Sequence, residues 1–146
     1  MGATDVSGVP SITARLDGSI SLANGSSLDL FTLNAGTHTI VVTAADGVGN
    51  VSTQTITFAV HATIGGLLNA VAYGRARALV SNQQQNQLTS ILQSAQTALA
   101  SGDSVTAKSR LNSFVAQVQS QSGTGIDATF AARLVNWTQD LIARIP

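Results

Sequence analysis

The stretch TQTITFAVHATIGGLLNAV, residues 53–71, decides the fold because its hydrophobic period changes halfway along it. In the first half every second residue is apolar, as in a half-buried β-strand. In the second half apolar residues recur at three- and four-residue steps, as on one face of an α-helix: Ile64, Leu67, Leu68 and Val71. The change near His61 predicts a strand-forming part before it and a helical part after it.

Upstream of this point, short alternating runs are separated by residues that favour turns. We expect strands around Ile12–Leu16, Ile20–Leu22, Leu28–Leu30, Thr37–Ala44 and Gln54–Val60. The dipeptides Asp17-Gly18 and Asn24-Gly25 and the loop at 46–50 supply the turns between them. Five short strands at close spacing indicate an antiparallel sandwich and not βαβ units.

Three segments of this part resemble a bacterial immunoglobulin-like module: SGVPSITARLDG (7–18), LDLFTLNAGTHTIVVTAADGVGN (28–50) and TQTITFAV (53–60). The resemblance implies an immunoglobulin-like β-sandwich that is incomplete, since such modules usually begin with further strands. An incomplete sandwich exposes an apolar face and a sheet edge, which proteins usually cover. We expect the cover to be the helical half, further residues of the polypeptide, or a second copy that forms a homo-oligomer through this edge.

Downstream of His61, four apolar stripes with helix-capping residues indicate a three- to four-helix bundle. Thr63, Asp103 and Asp127 are the expected N-caps, and Gly102 is a C-terminal stop. The first helix is expected to run from Ile64 to about Val80. Residues 81–86 are either a loop or the first turn of the second helix.

The helical part resembles the bacterial FIMAH domain from about Leu67 to Ile145, on the motifs SILQSAQTALASGD (90–103) and LNSFVAQVQSQSG (111–123). FIMAH-like domains occur as appendages of large exported bacterial proteins, beside immunoglobulin-like modules and hydrolases. The resemblance therefore implies an accessory role and names no ligand.

Together these patterns predict an α+β chain of two domains. Residues 1–61 are expected to form the partial antiparallel immunoglobulin-like β-sandwich, and residues 62–146 the FIMAH-like helical bundle. Each half is near the lower limit for an independent hydrophobic core, so each is expected to depend on the other.

Composition argues against several classes of partner. Seven acidic and seven basic residues give zero net charge, and no basic stripe is present for nucleic acid or an anionic membrane surface. The most apolar stretch, 64–72, is too short to span a bilayer. No nucleic acid and no membrane is therefore expected as a partner.

Catalytic motifs are equally scarce, so we expect no enzyme. No serine lies in a Gly-x-Ser-x-Gly elbow, and neither His38 nor His61 has a second ligand at zinc spacing. His38 lies on the inward face of its strand, where packing explains it, and His61 lies at the junction of the two halves.

Two candidate sites remain. Asp46 and Asn50, with Asp5 at the same end of the sandwich, offer oxygen ligands for Ca²⁺, the one cofactor that the sequence suggests, although a hairpin turn alone explains Asp46 and Asn50. Trp137 and Tyr73 would suit stacking against a sugar, but only if they are solvent-exposed, and core packing also explains both rings.

The favoured function is a non-catalytic accessory or spacer module of a secreted or cell-surface bacterial protein. It would present a neighbouring domain of a larger polypeptide, or help to target it to polysaccharide or matrix. Two alternatives stay open. One is a dedicated carbohydrate- or Ca²⁺-binding module, and the other is a protein-interaction helix bundle.

Overall fold

The computed structural model describes residues 11–146 of the chain. Four β-strands precede four α-helices, so the chain is α+β, as predicted. It divides into two compact units. The strand unit comprises, among the described residues, 11–30 and Gly36–Val60, and the helical unit comprises Phe31–Ala35 and His61–Pro146.

The strands of the described residues form one antiparallel sheet, in the order β2-β1-β3-β4. Their bounds are β1 Ser11–Leu16, β2 Ile20–Leu22, β3 Gly36–Ala45 and β4 Val51–Val60. The turn at Asp17-Gly18 is confirmed, and both residues have positive φ angles, 49° and 71°, in the three-residue loop that joins Leu16 of β1 to Ile20 of β2. Gly25 likewise has a φ of 76° in a turn closed by the Ser26 N–H donating to the Ala23 carbonyl.

Cross-strand register gives the sheet one apolar face. Leu16 of β1 lies opposite Ile40 of β3, which lies opposite Ile56 of β4, and directly opposite residues project to the same side. Leu16 is fully buried, but Ile56 is 45% exposed. The apolar face is therefore buried at Ala14 and Leu16 of β1, whereas Ile12 of β1 and Ile56 of β4 are exposed.

The strand expected at Leu28–Leu30 is absent, and that prediction was wrong. The chain instead forms a single 3-10 turn, Leu30–Thr32, before β3. Leu30 is 53% exposed, whereas Leu33 is 4% exposed. The turn shifts the phase of the apolar alternation, and residues 31–35 join the helical unit.

The helices are α1 Ile64–Ala76, α2 Asn82–Ala100, α3 Ser104–Gln121 and α4 Ala128–Arg144. Each begins after an N-cap side chain that accepts the N–H three residues ahead: Thr63, Ser81, Asp103 and Asp127. The three caps predicted from sequence are confirmed. None of the described helices is long and apolar enough to cross a membrane.

Helix α1 ends at Ala76 and not near Val80, so its predicted end was four residues too late. Ala78 has a φ of 58°, which ends the helix, and the N–H groups of Leu79 and Val80 both donate to the Gly74 carbonyl. Val80 then forms a bridge with Ile126. Residues 82–86 form the first turn of α2 and not a loop, and Ser81 is the N-cap of that helix.

The core of the helical unit contains side chains from all four helices. Its largest fully buried members are Leu67, Leu88, Leu92, Leu111, Phe114, Ile126, Phe130 and Leu134. Gly74 of α1 is buried beside this core. A larger residue does not fit at this position because its Cβ would collide with Phe130 and Val80.

The packing at Gly74 predicts opposite effects for two alanine substitutions on α1. A Cβ at position 74 would lie 2.8 Å from Val80 Cγ2 and closer still to the Phe130 ring, so Gly74→Ala should lower the free energy of unfolding by about 1–3 kcal/mol. A Cβ at Gly65 meets nothing within 4 Å, so Gly65→Ala should raise it by about 0.5–1 kcal/mol. Urea denaturation checks both, and a stabilising Gly74→Ala would contradict the packing.

Candidate functional site

The Ca²⁺ candidates Asp46 and Asn50 lie at the loop between β3 and β4, where they bond to each other. Asp46 Oδ1 accepts the N–H groups of Val48 at 3.0 Å and Asn50 at 2.7 Å, and Asp46 Oδ2 accepts Asn50 Nδ2 at 2.5 Å. These bonds, led by the Asn50 side chain, lower the pKa of Asp46. The third candidate, Asp5, lies outside the described residues.

Residues 11–146 contain no group of three or more histidine, cysteine or acidic side chains that could hold a metal ion. Both oxygens of Asp46 are used to shape its own hairpin. A cation at this loop would have to compete with those bonds.

A histidine–carboxylate pair that sequence reasoning missed lies within the sheet. Asp17 Oδ2 is 2.7 Å from His38 Nδ1, and Asp17 Oδ1 accepts the Thr39 N–H at 3.0 Å. The hydrogen bond with His38 is the main cause of the lowered pKa of Asp17. Residues after β1 lie opposite the beginning of β3, so the strand order would have revealed the pair.

The geometry explains what the His38 pair does for the fold. The His38 side chain is 11% exposed, and its ring stacks on Phe58 with centroids 5.5 Å apart. Asp17 thus fixes the turn after β1 to the first residues of β3, and its backbone N–H also donates to the Thr39 carbonyl.

Trp137, a candidate for sugar stacking only if exposed, is 5% exposed. Its indole Nε1 donates to the Leu33 carbonyl at 2.8 Å, and the rings of Phe31 and Phe130 each lie 6.2 Å from it. A buried indole of this kind satisfies its N–H internally. Trp137 therefore does not meet the exposure condition.

Tyr73, the second aromatic candidate, is half-buried on α1 and already has neighbours on its ring. The Phe31 centroid lies 4.7 Å away, and the guanidinium carbon of Arg77 lies 4.3 Å from the Tyr73 centroid. A sugar would have to displace one of them to stack on this ring.

Residues 31–35 lie against these aromatic side chains, a contact that was not predicted from the sequence. Phe31, Leu33 and Ala35 are buried or half-buried, whereas the intervening Thr32 and Asn34 are exposed. Trp137 donates to the Leu33 carbonyl of this segment, and the Ala35 N–H donates to Asn136 Oδ1 at 2.7 Å. The segment is thus held by two consecutive side chains of α4.

A second polar cluster surrounds Asp140 of α4. Its Oδ2 accepts the Ala62 N–H at 2.9 Å and Arg144 Nη2 at 2.7 Å, while Arg144 also donates to the Ala62 carbonyl. His61 Nδ1 lies 3.4 Å from Asp140 Oδ1. The carboxylate and the guanidinium together fix both backbone groups of Ala62 at the entry to α1.

Two shallow depressions on the helical unit have no acidic residue or histidine in their linings. One, of about 440 Å³, lies between α3 and α4 and is lined by Gln119, Ser122, Ala128, Ala131, Ala132 and Val135. The other, of about 480 Å³, lies between α2 and α3 and is lined by Asn86, Gln87, Ser90, Ile91 and Gln117. Neither offers general acid–base chemistry.

Comparison with known proteins adds one positive result. Residues 64–143, more than half of the chain, match the family model of the FIMAH domain. No curated protein and no solved structure gives a match. The match covers α1 to α4 almost completely and includes Tyr73, Asn136 and Trp137.

The Asp140 cluster predicts a pH-dependent stability. Burial raises the pKa of Asp140, but bonds from Arg144, Ala62 and His61 outweigh it, so the pKa lies below its ordinary value of 3.8. A carboxyl group whose pKa is lowered in the folded state stabilises the fold at every pH above its pKa in the unfolded chain. This stabilisation is lost as the pH falls through the pKa of the folded state. Asp140→Asn should therefore lower the unfolding free energy at pH 7, with the deficit shrinking as the pH falls below about 3.8.

Urea unfolding of both proteins across this pH range provides the measurement. A deficit that stays constant from neutral to acidic pH would mean that the carboxylate charge is not responsible.

Proposed function

The chain belongs to the FIMAH domain family, and on that premise we propose that it is a non-catalytic accessory module of a secreted or cell-surface bacterial protein. Of the two roles expected from the sequence, presenting a neighbouring domain or helping to target it, we favour the first: the module spaces and presents a neighbouring domain of a larger polypeptide. An extracellular or cell-surface location is part of this proposal, since the resemblance described above implies an exported parent protein.

The main support for the proposal is that most aspartate carboxylates accept hydrogen bonds from backbone N–H groups. Five aspartates each accept at least one backbone N–H group: Asp17, Asp46, Asp103, Asp127 and Asp140. A general acid or base must reach a substrate proton directly or through one water molecule. Carboxylates that cap helices and close turns fit a structural module better than an active site.

Burial of the aromatic side chains favours a spacer over a dedicated sugar-binding module. Sugar-binding surfaces need exposed rings, whereas Trp137 is 5% exposed and donates its N–H to the chain itself. Tyr73 has Phe31 and Arg77 against its ring. Neither ring therefore offers an open face on which a sugar could stack.

The immunoglobulin-like nature of the strand unit is also part of the proposal. The order β2-β1-β3-β4, with two hairpins and antiparallel neighbours, corresponds to the C′-C-F-G order of one immunoglobulin sheet. The open apolar face at Ile56 is where a second sheet of such a sandwich would pack. We therefore infer that the strand unit is one half of an immunoglobulin-like sandwich.

A Ca²⁺ titration and a polysaccharide sedimentation assay test the spacer role against the binding-module alternative. A Ca²⁺ site with a Kd near 1 mM would stabilise the fold by about 1.4 kcal/mol at ~10 mM Ca²⁺, which raises Tm by a few degrees. We expect equal Tm values in Ca²⁺, Mg²⁺ and EDTA. We also expect no saturable retention of the isolated chain on cellulose, chitin or bacterial cell wall.

Two results would contradict the spacer role. A rise in Tm that is specific for Ca²⁺ and lost in Asp46→Asn would support a metal-binding module. Retention on one polysaccharide that a soluble oligosaccharide of the same type competes away would support a carbohydrate-binding module.

A further inference from the structure

We propose that the outer edge of β4 pairs with β4 of a second copy of this chain, so that the two sheets join into one. The order β2-β1-β3-β4 places β4 at one edge, and no strand among residues 11–146 pairs with its outer side. A homo-oligomer was one of the covers expected from the sequence, and this edge gives it a defined site. Such a dimer goes beyond the proposed spacer role and does not depend on it.

Alternate residues of β4 direct their backbone groups away from β3. The Asp46 N–H donates to the Asn50 carbonyl at 3.0 Å, so these two opposite residues form a hydrogen-bonded pair. Such pairs recur at every second position of an antiparallel ladder, so the even-numbered residues of β4 bond to β3. The odd-numbered residues therefore direct their N–H and C=O groups outwards, and all of them are exposed: Val51, Thr53, Thr55, Thr57 and Ala59.

β4 has none of the features that usually protect an edge strand from pairing. Its ten residues, VSTQTITFAV, include no charged residue and no proline, and its register with β3 continues along the whole strand without a bulge. The strand at the opposite edge, β2, is only three residues long. A long edge without charges, prolines or bulges favours the addition of a partner strand.

A second copy fits this edge because β4 is self-complementary. Antiparallel pairing about a two-fold axis at Thr55 places Thr55 of one copy opposite Thr55 of the other, and Thr53 opposite Thr57. In this register every outward residue of β4 belongs to a hydrogen-bonded pair, and about ten hydrogen bonds form. A two-fold axis brings like residues together, and β4 has no charge that would meet its own copy.

The same register keeps both faces of the joined sheet continuous. Odd-numbered residues lie opposite odd-numbered residues, so the threonines stay on one face and Ile56 and Phe58 on the other. Ile56, which is 45% exposed, then lies opposite Gln54 of the second copy. A second β4 is already extended, so its pairing avoids the entropy cost of ordering a flexible peptide. These properties favour a second copy over an unrelated peptide.

Edge pairing of this kind predicts a weak dimer. Two strands about 34 Å long, in a sheet ~10 Å thick, bury roughly 700 Å² in total. Stable interfaces bury about 1,200–2,000 Å², so the dimer should dissociate on dilution. Sedimentation of the full chain should show the average mass rising from that of one chain towards that of two between about 10 μM and ~1 mM.

Charged residues at position 55 test the register. Thr55→Lys places two positive charges at the axis and Thr55→Asp two negative charges, so each variant alone should dimerise more weakly than the parent. An equimolar mixture of the two variants should associate at least about fivefold more tightly than either alone, because opposite charges then meet. Thr13→Lys is the matched control, since Thr13 is exposed on the same face of β1, and its association should equal that of the parent.

A thiol at the axis provides a second measurement. The chain contains no cysteine, so Thr55→Cys adds a single thiol to each copy. The Cα atoms of a hydrogen-bonded antiparallel pair lie about 5.5 Å apart, within the range that a disulfide spans. Mild oxidation should therefore link Thr55→Cys into a covalent dimer on a non-reducing gel, whereas the control Thr13→Cys should stay largely monomeric.

Any of three results would overturn the proposed dimer. One is a monomer at every concentration in the range given above. Another is a dimer that Thr55→Lys weakens no more than Thr13→Lys does, which would place the interface elsewhere. The third is an equal yield of covalent dimer from Thr55→Cys and Thr13→Cys. If the charged variants lose the circular dichroism of the parent, the two cysteine variants decide.

Discussion

The hydrogen bond from the Trp137 indole to the Leu33 carbonyl is the constraint on which the helical unit depends. A buried indole N–H without an acceptor would carry a large desolvation cost, and Trp137, which is 5% exposed, has little access to solvent. The acceptor lies 104 residues earlier in the chain. The helical unit is therefore built from two pieces of sequence, and the shorter piece completes the aromatic cluster around Trp137, Phe130 and Phe31.

This constraint also bears on function. The same ring would have been the best platform for a sugar, and the fold uses it for packing and for a backbone hydrogen bond. Asp140 serves the fold in a similar way, since it and Arg144 hold Ala62 at the entry to α1. Side chains that could otherwise serve binding or catalysis are thus used to join distant parts of the chain. This fits the proposed role of a module that connects and presents other domains.

Local rules predicted most of the secondary structure from sequence. The turn at Asp17-Gly18 and the caps Thr63, Asp103 and Asp127 depend on residues within three positions of each other, so the sequence displays them directly. The alternation at Leu28–Leu30 was too short to distinguish a strand from the approach to a 3-10 turn. The early end of α1 followed from the left-handed conformation of Ala78, which its residue type does not indicate.

The contacts that define the candidate sites could not be predicted by the same rules. The pairing of Asp17 with His38 requires the knowledge that β1 neighbours β3. The docking of residues 31–35 requires the phase shift at the 3-10 turn and the positions of α1 and α4. Such contacts arise from tertiary packing, and a single sequence contains no local signal for them.

Hydrogen exchange measured by NMR on the full chain tests the central claim most directly. The Trp137 indole N–H donates to Leu33 and the Ala35 N–H donates to Asn136, so both protons should be protected to the same degree as amides in the middle of α4. Exchange of both protons at the rate of an unstructured peptide, while α4 amides stay protected, would show that residues 31–35 are not part of the helical unit.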